Sequence, residues 1–150
     1  MLEIGATLPT VTLADDSGTE LSTEDLLGKH LILYFYPKDD TPGCTNEATQ
    51  FADLRSDFTK KNADVVGVSR DSVVAHQKFK AKYAIPFRLL ADVDSALCDA
   101  FGVIVEKNMY GKKSMGVARA TFLFDPAGKL LKVWPKVSVE GHAEDVLSNL

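Results

Sequence analysis

Hydrophobic positions recur along this chain at two spacings, every second residue in some stretches and every third or fourth in others, and the alternation between them predicts a succession of strands and helices. Val11 and Leu13 alternate ahead of a turn at Asp15-Asp16-Ser17-Gly18, and Leu21 to Leu27 predicts a short helical turn opened at Ser22 or Thr23 and closed by Gly28. His30 to Tyr36 is an unbroken β-rich apolar run ended by Pro37, the pattern of a central strand buried on both faces. After a polar loop from Lys38 to Asp40, Ala48, Phe51, Leu54 and Phe58 mark one face of a long helix from about Pro42 to Lys61. Asp64 to Ser69 predicts a second strand. Ser72 to Tyr83 reads as a helix that must stop before Ile85-Pro86, because proline disfavours helical geometry in the residue ahead of it. Arg88 to Ala91 predicts a strand, Asp94 to Phe101 a short helix closed by Gly102, and Val103 to Val105 another strand. The basic stretch Lys107 to Lys113 reads as a solvated loop between strands, the alternatives being that it borders a site or docks a partner protein. Val117 to Phe124 and Leu130 to Trp134 flank the hairpin signal Asp125-Pro126-Ala127-Gly128, and His142 to Leu150 closes the chain as an amphipathic helix.

Strands alternating with helices, then a hairpin and a final helix, predict an α/β fold with a central mixed β-sheet flanked by helices on both faces. No linker, like-charge block or repeat interrupts the pattern, so residues 1–150 are expected to form a single domain. With 45% hydrophobic residues the chain has globular composition, and at 150 residues one core buries about 70% of the unfolded surface without metal or disulfide staples. Seventeen Lys and Arg against twenty-one Asp and Glu give a net charge of −4, which argues against a nucleic-acid surface. No apolar run approaches the roughly 20 residues of a membrane span, and Met1 to Gly5 lack the basic and apolar regions of a secretory signal. A cytoplasmic protein without membrane partners is therefore expected.

Two cysteines, Cys44 and Cys98, are too few for a disulfide scaffold. In a sheet of this kind reactive groups lie just past the carboxyl ends of central strands, where Pro37 to Cys44 falls. Thr41 suits the N-cap of the following helix and Pro42 its first position, which puts Cys44 in the first turn. Unpaired amide groups and the macrodipole favour an anion there, in this case a thiolate. Gly43 adds no side chain beside the sulfur, and Pro37 and Pro42 limit how the loop moves. Other chemistries lack their residues. His30, His76 and His142 have no metal-ligand spacing, so no metal is expected, and His76 reads as a locally packing or capping residue. No Gly-rich phosphate loop appears, so no nucleotide or flavin cofactor is expected. Ser69 to Ser72 has no histidine partner of the hydrolase type.

Pro37-x-x-x-Thr41-x-x-Cys44 resembles the signature of the peroxiredoxins, and Phe35 to Glu47 resembles the bacterioferritin-comigratory, or PrxQ, subfamily. Gly67 to Ser72, His76 with Phe79, Pro86-Phe87, Leu89 to Asp92 and Arg119 to Phe122 follow in that subfamily's order, so the resemblance covers nearly the whole chain. It implies a thioredoxin-like fold and a thiol-dependent peroxidase, without cofactor, acting on hydrogen peroxide and organic hydroperoxides. In that reading Cys44 is the peroxidatic cysteine, Thr41 hydrogen-bonds the sulfur and the peroxide, and Pro37 shields the thiolate. Pro42 and Gly43 border the substrate, and Arg119 brings a fixed positive charge. Glu47, one turn into the helix, either orients Arg119 or is a solvated carboxylate. The resemblance also favours a monomer.

The chain departs from many subfamily members by having Thr49 five residues after Cys44, where they carry a resolving cysteine. The expected turnover therefore uses one cysteine, with thioredoxin, or glutathione with glutaredoxin, reducing the sulfenic acid. The alternatives are an atypical two-cysteine enzyme resolved by Cys98, itself expected to be small and buried, and a catalytically inert interaction or holdase module.

Overall fold

The computed structural model describes residues 1–150. Its main sheet has seven strands. At the centre, β3 (His30–Phe35) pairs in parallel with β4 (Ala63–Ser69) and antiparallel with β8 (Ala120–Phe124). Outward from β4 lie parallel β5 (Leu89–Ala91), then antiparallel β1 (Thr12–Asp15) and β2 (Glu20–Ser22), while β9 (Leu130–Trp134) pairs antiparallel with β8. The sheet is therefore mixed, as its sequence pattern predicts.

Successive side chains of a strand point to opposite faces, and β3 uses both. Leu31, Leu33 and Phe35 enter one core with α4 (Ala96–Phe101); Ile32, Tyr34 and the following Tyr36 enter the other with α1 (Pro42–Asp53), α2 (Arg55–Lys60), α3 (Val73–Tyr83) and α5 (His142–Ser148). Double burial is why this strand reads as a continuous apolar run rather than an alternation. On the first face Phe35 packs against Phe101 and Phe122, with ring centroids 4.9 and 5.6 Å away, and on the second Tyr34 stacks on Phe51 at 4.8 Å. Each of these phenylalanines contributes roughly 1.5–3 kcal/mol through burial. Gly67 in β4 makes room for Tyr34: a β-carbon there would stand 3.0 Å from its ring and 2.8 Å from Leu89.

Three segments differ from the sequence expectation. The helix predicted from Pro42 to Lys61 divides at Leu54 (φ −98°, ψ 5°) into α1 and α2, yet Phe51 and Phe58 remain neighbours with centroids 5.9 Å apart. Hydrophobic spacing records which face is buried, and a local break that keeps both rings on that face leaves the spacing intact. The Lys107–Lys113 stretch is not a loop. It belongs to a separate two-stranded hairpin, β6 (Ile104–Met109) and β7 (Lys112–Val117), joined by Tyr110 and Gly111, both at positive φ. Most of its side chains are exposed on both faces, so no alternation marks it as a strand. Finally, the predicted Val117–Phe124 strand is interrupted at Ala118-Arg119, between β7 and β8. No helix is long and apolar enough to cross a membrane.

His142, at the start of α5, is buried edge-on against Phe51 and Trp134, with Nε2 2.8 Å from the Thr121 hydroxyl. Burial pushes its pKa down from 6.5 to about 4. Between those values the unfolded chain holds more protons than the folded one, so this group's contribution is complete above pH 6.5 and is lost as pH falls towards 4. The loss amounts to about 3 kcal/mol by linkage. Denaturant unfolding at pH 7 and pH 4 is expected to show a smaller acid loss, by about that amount, in His142→Gln than in the parent protein. Equal losses would overturn the assignment.

Candidate active site

The chain leaves β3 at Phe35, passes through buried Tyr36 and half-buried Pro37, and enters α1 at Pro42, so the loop ends just beyond the carboxyl edge of the central strand. Thr41 occupies the N-cap position in extended geometry (φ −102°, ψ 155°). Its side chain does not cap the helix; the hydroxyl donates instead to the Lys38 carbonyl at 2.9 Å, which leaves its oxygen lone pairs free to accept. Cys44 is the third helical residue and only 2% exposed, packed in the same core as Ala48 and Phe51.

Arg119 reaches this point from the short connection between β7 and β8. Its Nη2 donates to Cys44 Sγ at 3.3 Å and its Nη1 to Glu47 Oε1 at 2.7 Å. Glu47 lies three residues after Cys44, hence on the same helix face, and is buried. Burial raises its pKa to about 7, against the opposing pull of Arg119. Burial also disfavours charge on Arg119, but Glu47 and Cys44 outweigh it and hold the guanidinium more firmly protonated than usual. A planar guanidinium can engage the sulfur and the carboxylate at once, which an ammonium does less well. Gly43 permits the approach, since a β-carbon there would stand 3.1 Å from Arg119 Nη2.

Pro37 and Arg119 share the wall of a groove of about 580 Å3, with Val105, Lys107, Ala118 and Val137 on its other sides. Pro42 is exposed at the first helical position. Cys44, Gly43 and Arg119 thus meet at one place, with Pro37 beside Arg119 in the groove wall and Thr41 at the N-cap of the helix that carries Cys44. Cys98 does not join them. It lies in α4 on the opposite face of the sheet, fully buried beside Leu97 and Phe101, with its amide donating to Asp92 Oδ2 at 2.7 Å. Burial and the neighbouring Asp92 push its thiol well up, so it stays protonated at neutral pH.

Sequence reasoning leaves Glu47 outside the core set, although its three-residue offset from Cys44 is an available signal. It names Asp39 and His76 only within separate segments of the family resemblance and does not pair them, although the two meet at 2.6 Å behind the loop.

The AhpC/TSA family profile matches residues 4–133. Peroxiredoxin Bcp of Xanthomonas campestris is 47% identical over all of this chain and 94% of that protein, and Peroxiredoxin Bcp of Bacillus subtilis is 45% identical over 99% of this chain and 95% of that one. Among solved structures, a cysteine-to-serine variant of Xylella fastidiosa PrxQ superposes with a TM-score of 0.94 at 42% identity, covering 99% of this chain and 95% of the other. These likenesses run the length of the chain and include the strand, loop and helix that carry Cys44: the protein belongs to the AhpC/TSA family, as a peroxiredoxin of the bacterioferritin-comigratory (PrxQ) group with the thioredoxin-like fold and the thiol-dependent peroxidase activity of that group.

Proposed function

We propose that Cys44 is the peroxidatic nucleophile and that one cysteine carries the catalytic cycle. The thiolate attacks the terminal oxygen of a hydroperoxide, forming an S–O bond as the O–O bond breaks. The departing alkoxide or hydroxide takes a proton to leave as alcohol or water, and Cys44 becomes a sulfenic acid. Two thiols from outside then return it to the thiol, releasing water and a disulfide.

The observation that carries this reading is the Arg119 guanidinium 3.3 Å from Sγ at the start of a helix. Negative charge moves from the sulfur across two oxygens during the displacement. Fixed donors aimed along that path stabilise the transition state more than the ground state. In this reading the Thr41 oxygen, its own proton committed to the Lys38 carbonyl, accepts from the peroxide O–H, while Pro37 restricts water at the sulfur. Pro42 starts the helix that carries Cys44, and Gly43 leaves space for Arg119 and substrate. The groove beside Pro37 and Arg119 has room for an organic substituent. A solved structure of the Xanthomonas campestris homologue is described in terms of its alkyl peroxide reduction activity. Hydrogen peroxide and small alkyl hydroperoxides are accordingly the proposed substrates.

For the reductant we propose a dithiol protein of the thioredoxin type, or glutathione with glutaredoxin, acting on a monomeric single-domain enzyme in a reducing compartment such as the cytoplasm. Cys98 is separated from Cys44 by the sheet, and a disulfide requires Cα atoms within about 7 Å, so external reduction is favoured over internal resolution.

One equivalent of hydrogen peroxide added to the reduced protein with a sulfenic-acid trap is expected to give a single adduct at Cys44, read by intact mass and peptide mapping under non-reducing conditions. Cys98→Ser is expected to give the same adduct. A loss of two hydrogens with a Cys44–Cys98 link would overturn one-cysteine turnover, and absence of reaction would return the chain to an inert binding module.

A further inference from the structure

Behind the Cys44 loop lies a buried polar cluster that the chemistry above does not use. His76 of α3 has no exposed surface. Its Nδ1 is 2.6 Å from Asp39 Oδ2 and its Nε2 is 2.9 Å from the Leu90 carbonyl. The Tyr36 hydroxyl donates to the other Asp39 oxygen at 2.6 Å, and the Asp39 amide donates to Asp71 Oδ2 at 2.9 Å. The proton count follows from these partners. A carbonyl only accepts, so Nε2 carries a hydrogen, and the short Nδ1–carboxylate contact needs one more proton between its two atoms. With that second proton on the ring, the pair is an imidazolium beside a carboxylate. Burial disfavours that charge, but the Asp39 contact, the Leu90 carbonyl and nearby Asp71 outweigh it and raise the ring's pKa.

Asp39 stands two residues before Thr41 and five before Cys44. The next residue, Asp40, is in left-handed geometry (φ 56°) and accepts from Lys82 and Tyr83, also on α3. Those two interactions are solvent-exposed, where ion pairs contribute little. Breaking the buried pair leaves an uncompensated charge in the interior, which makes it the interaction that determines whether the loop stays against α3.

We propose that Asp39 and His76 are positioning residues for the reaction at Cys44: their proton-bridged contact holds the Pro37–Thr41 segment against α3 and so fixes Thr41 and the sulfur relative to Arg119. The proposal rests on the reading of Cys44 as the nucleophile. It acts through geometry, because a displacement of about 1 Å at a reacting centre can cost on the order of 100-fold in rate.

Two substitutions at one position separate positioning from general support. In His76→Asn the amide nitrogen lies where Nδ1 was, so the hydrogen bond to Asp39 is kept and the one to the Leu90 carbonyl is broken. In His76→Gln it lies where Nε2 was, with the opposite result. Each variant gives up one buried hydrogen bond. The second-order rate with hydrogen peroxide is expected to stay within about threefold of the parent in His76→Asn and to fall about 10- to 100-fold in His76→Gln. In the latter, labelling of Cys44 by a bulky maleimide, mapped by mass, is expected to speed up as the loop opens. Asp39→Asn, whose amide can donate to the Nδ1 of a neutral ring, is expected to retain most of the rate. Equal effects of the two His76 substitutions, or a His76→Gln protein with parental rate and labelling, would overturn the proposal. Should the parent protein consume no peroxide, the reading of Cys44 fails instead, and the labelling contrast alone still decides the anchor.

Discussion

Cys44→Ser is expected to reduce peroxide consumption to the uncatalysed background while leaving the fold intact. A serine hydroxyl is not ionised near neutral pH and is a far weaker nucleophile than a thiolate. The site is packed but tolerant of this change: Cys44 is buried among Ala48, Phe51 and Tyr36, and oxygen is smaller than sulfur. Peroxide disappearance followed with excess reductant, together with the unfolding midpoint, checks both halves. A serine variant with substantial turnover would move the nucleophile elsewhere, and Cys98 would be the only remaining thiol.

The second large effect is expected at Arg119. Arg119→Met keeps much of the side chain's length and apolar stem but removes the donors to Sγ and to Glu47. Removing one preorganised donor from a charge-developing transition state costs about 100- to 1,000-fold in rate, and here the same residue also supplies the neighbouring positive charge. Stopped-flow measurement of the second-order reaction with hydrogen peroxide is expected to show a fall in that range. Near-parental kinetics would remove Arg119 from the mechanism. Glu47 responds as well: without Arg119, nothing opposes the burial that already raises its pKa to about 7, so it is expected to hold its proton to higher pH.

Much of this site is legible in the sequence because its parts are local. Thr41, Pro42, Gly43 and Cys44 are consecutive, and helix-start chemistry places them without knowledge of the rest of the chain. Arg119 lies 75 residues away, and only its resemblance to a known motif nominates it. The partners that depend on packing stay hidden. Asp39 and His76 are 37 residues apart and neither sits in a periodic pattern that announces a buried charge. Central strands and buried helices are readable because burial on one or two faces imposes a period. The β6–β7 hairpin is not, because both its faces meet solvent and nothing imposes one. The break at Leu54 is invisible for the converse reason, since the core constrains Phe51 and Phe58 equally on either side of it.

That same hairpin has a consequence for colloidal behaviour. It joins no larger sheet, so its outer edges present unpaired amides and carbonyls, with Met109, Tyr110 and Met115 exposed beside them. Strand edges of this kind template pairing between molecules, and lysines are a common means of discouraging it. Lys107, Lys112 and Lys113 lie along these edges and confer like-charge repulsion on a chain that is otherwise net acidic. Two such hairpins brought edge to edge would set these lysines against one another, so the charge acts against that one mode of pairing.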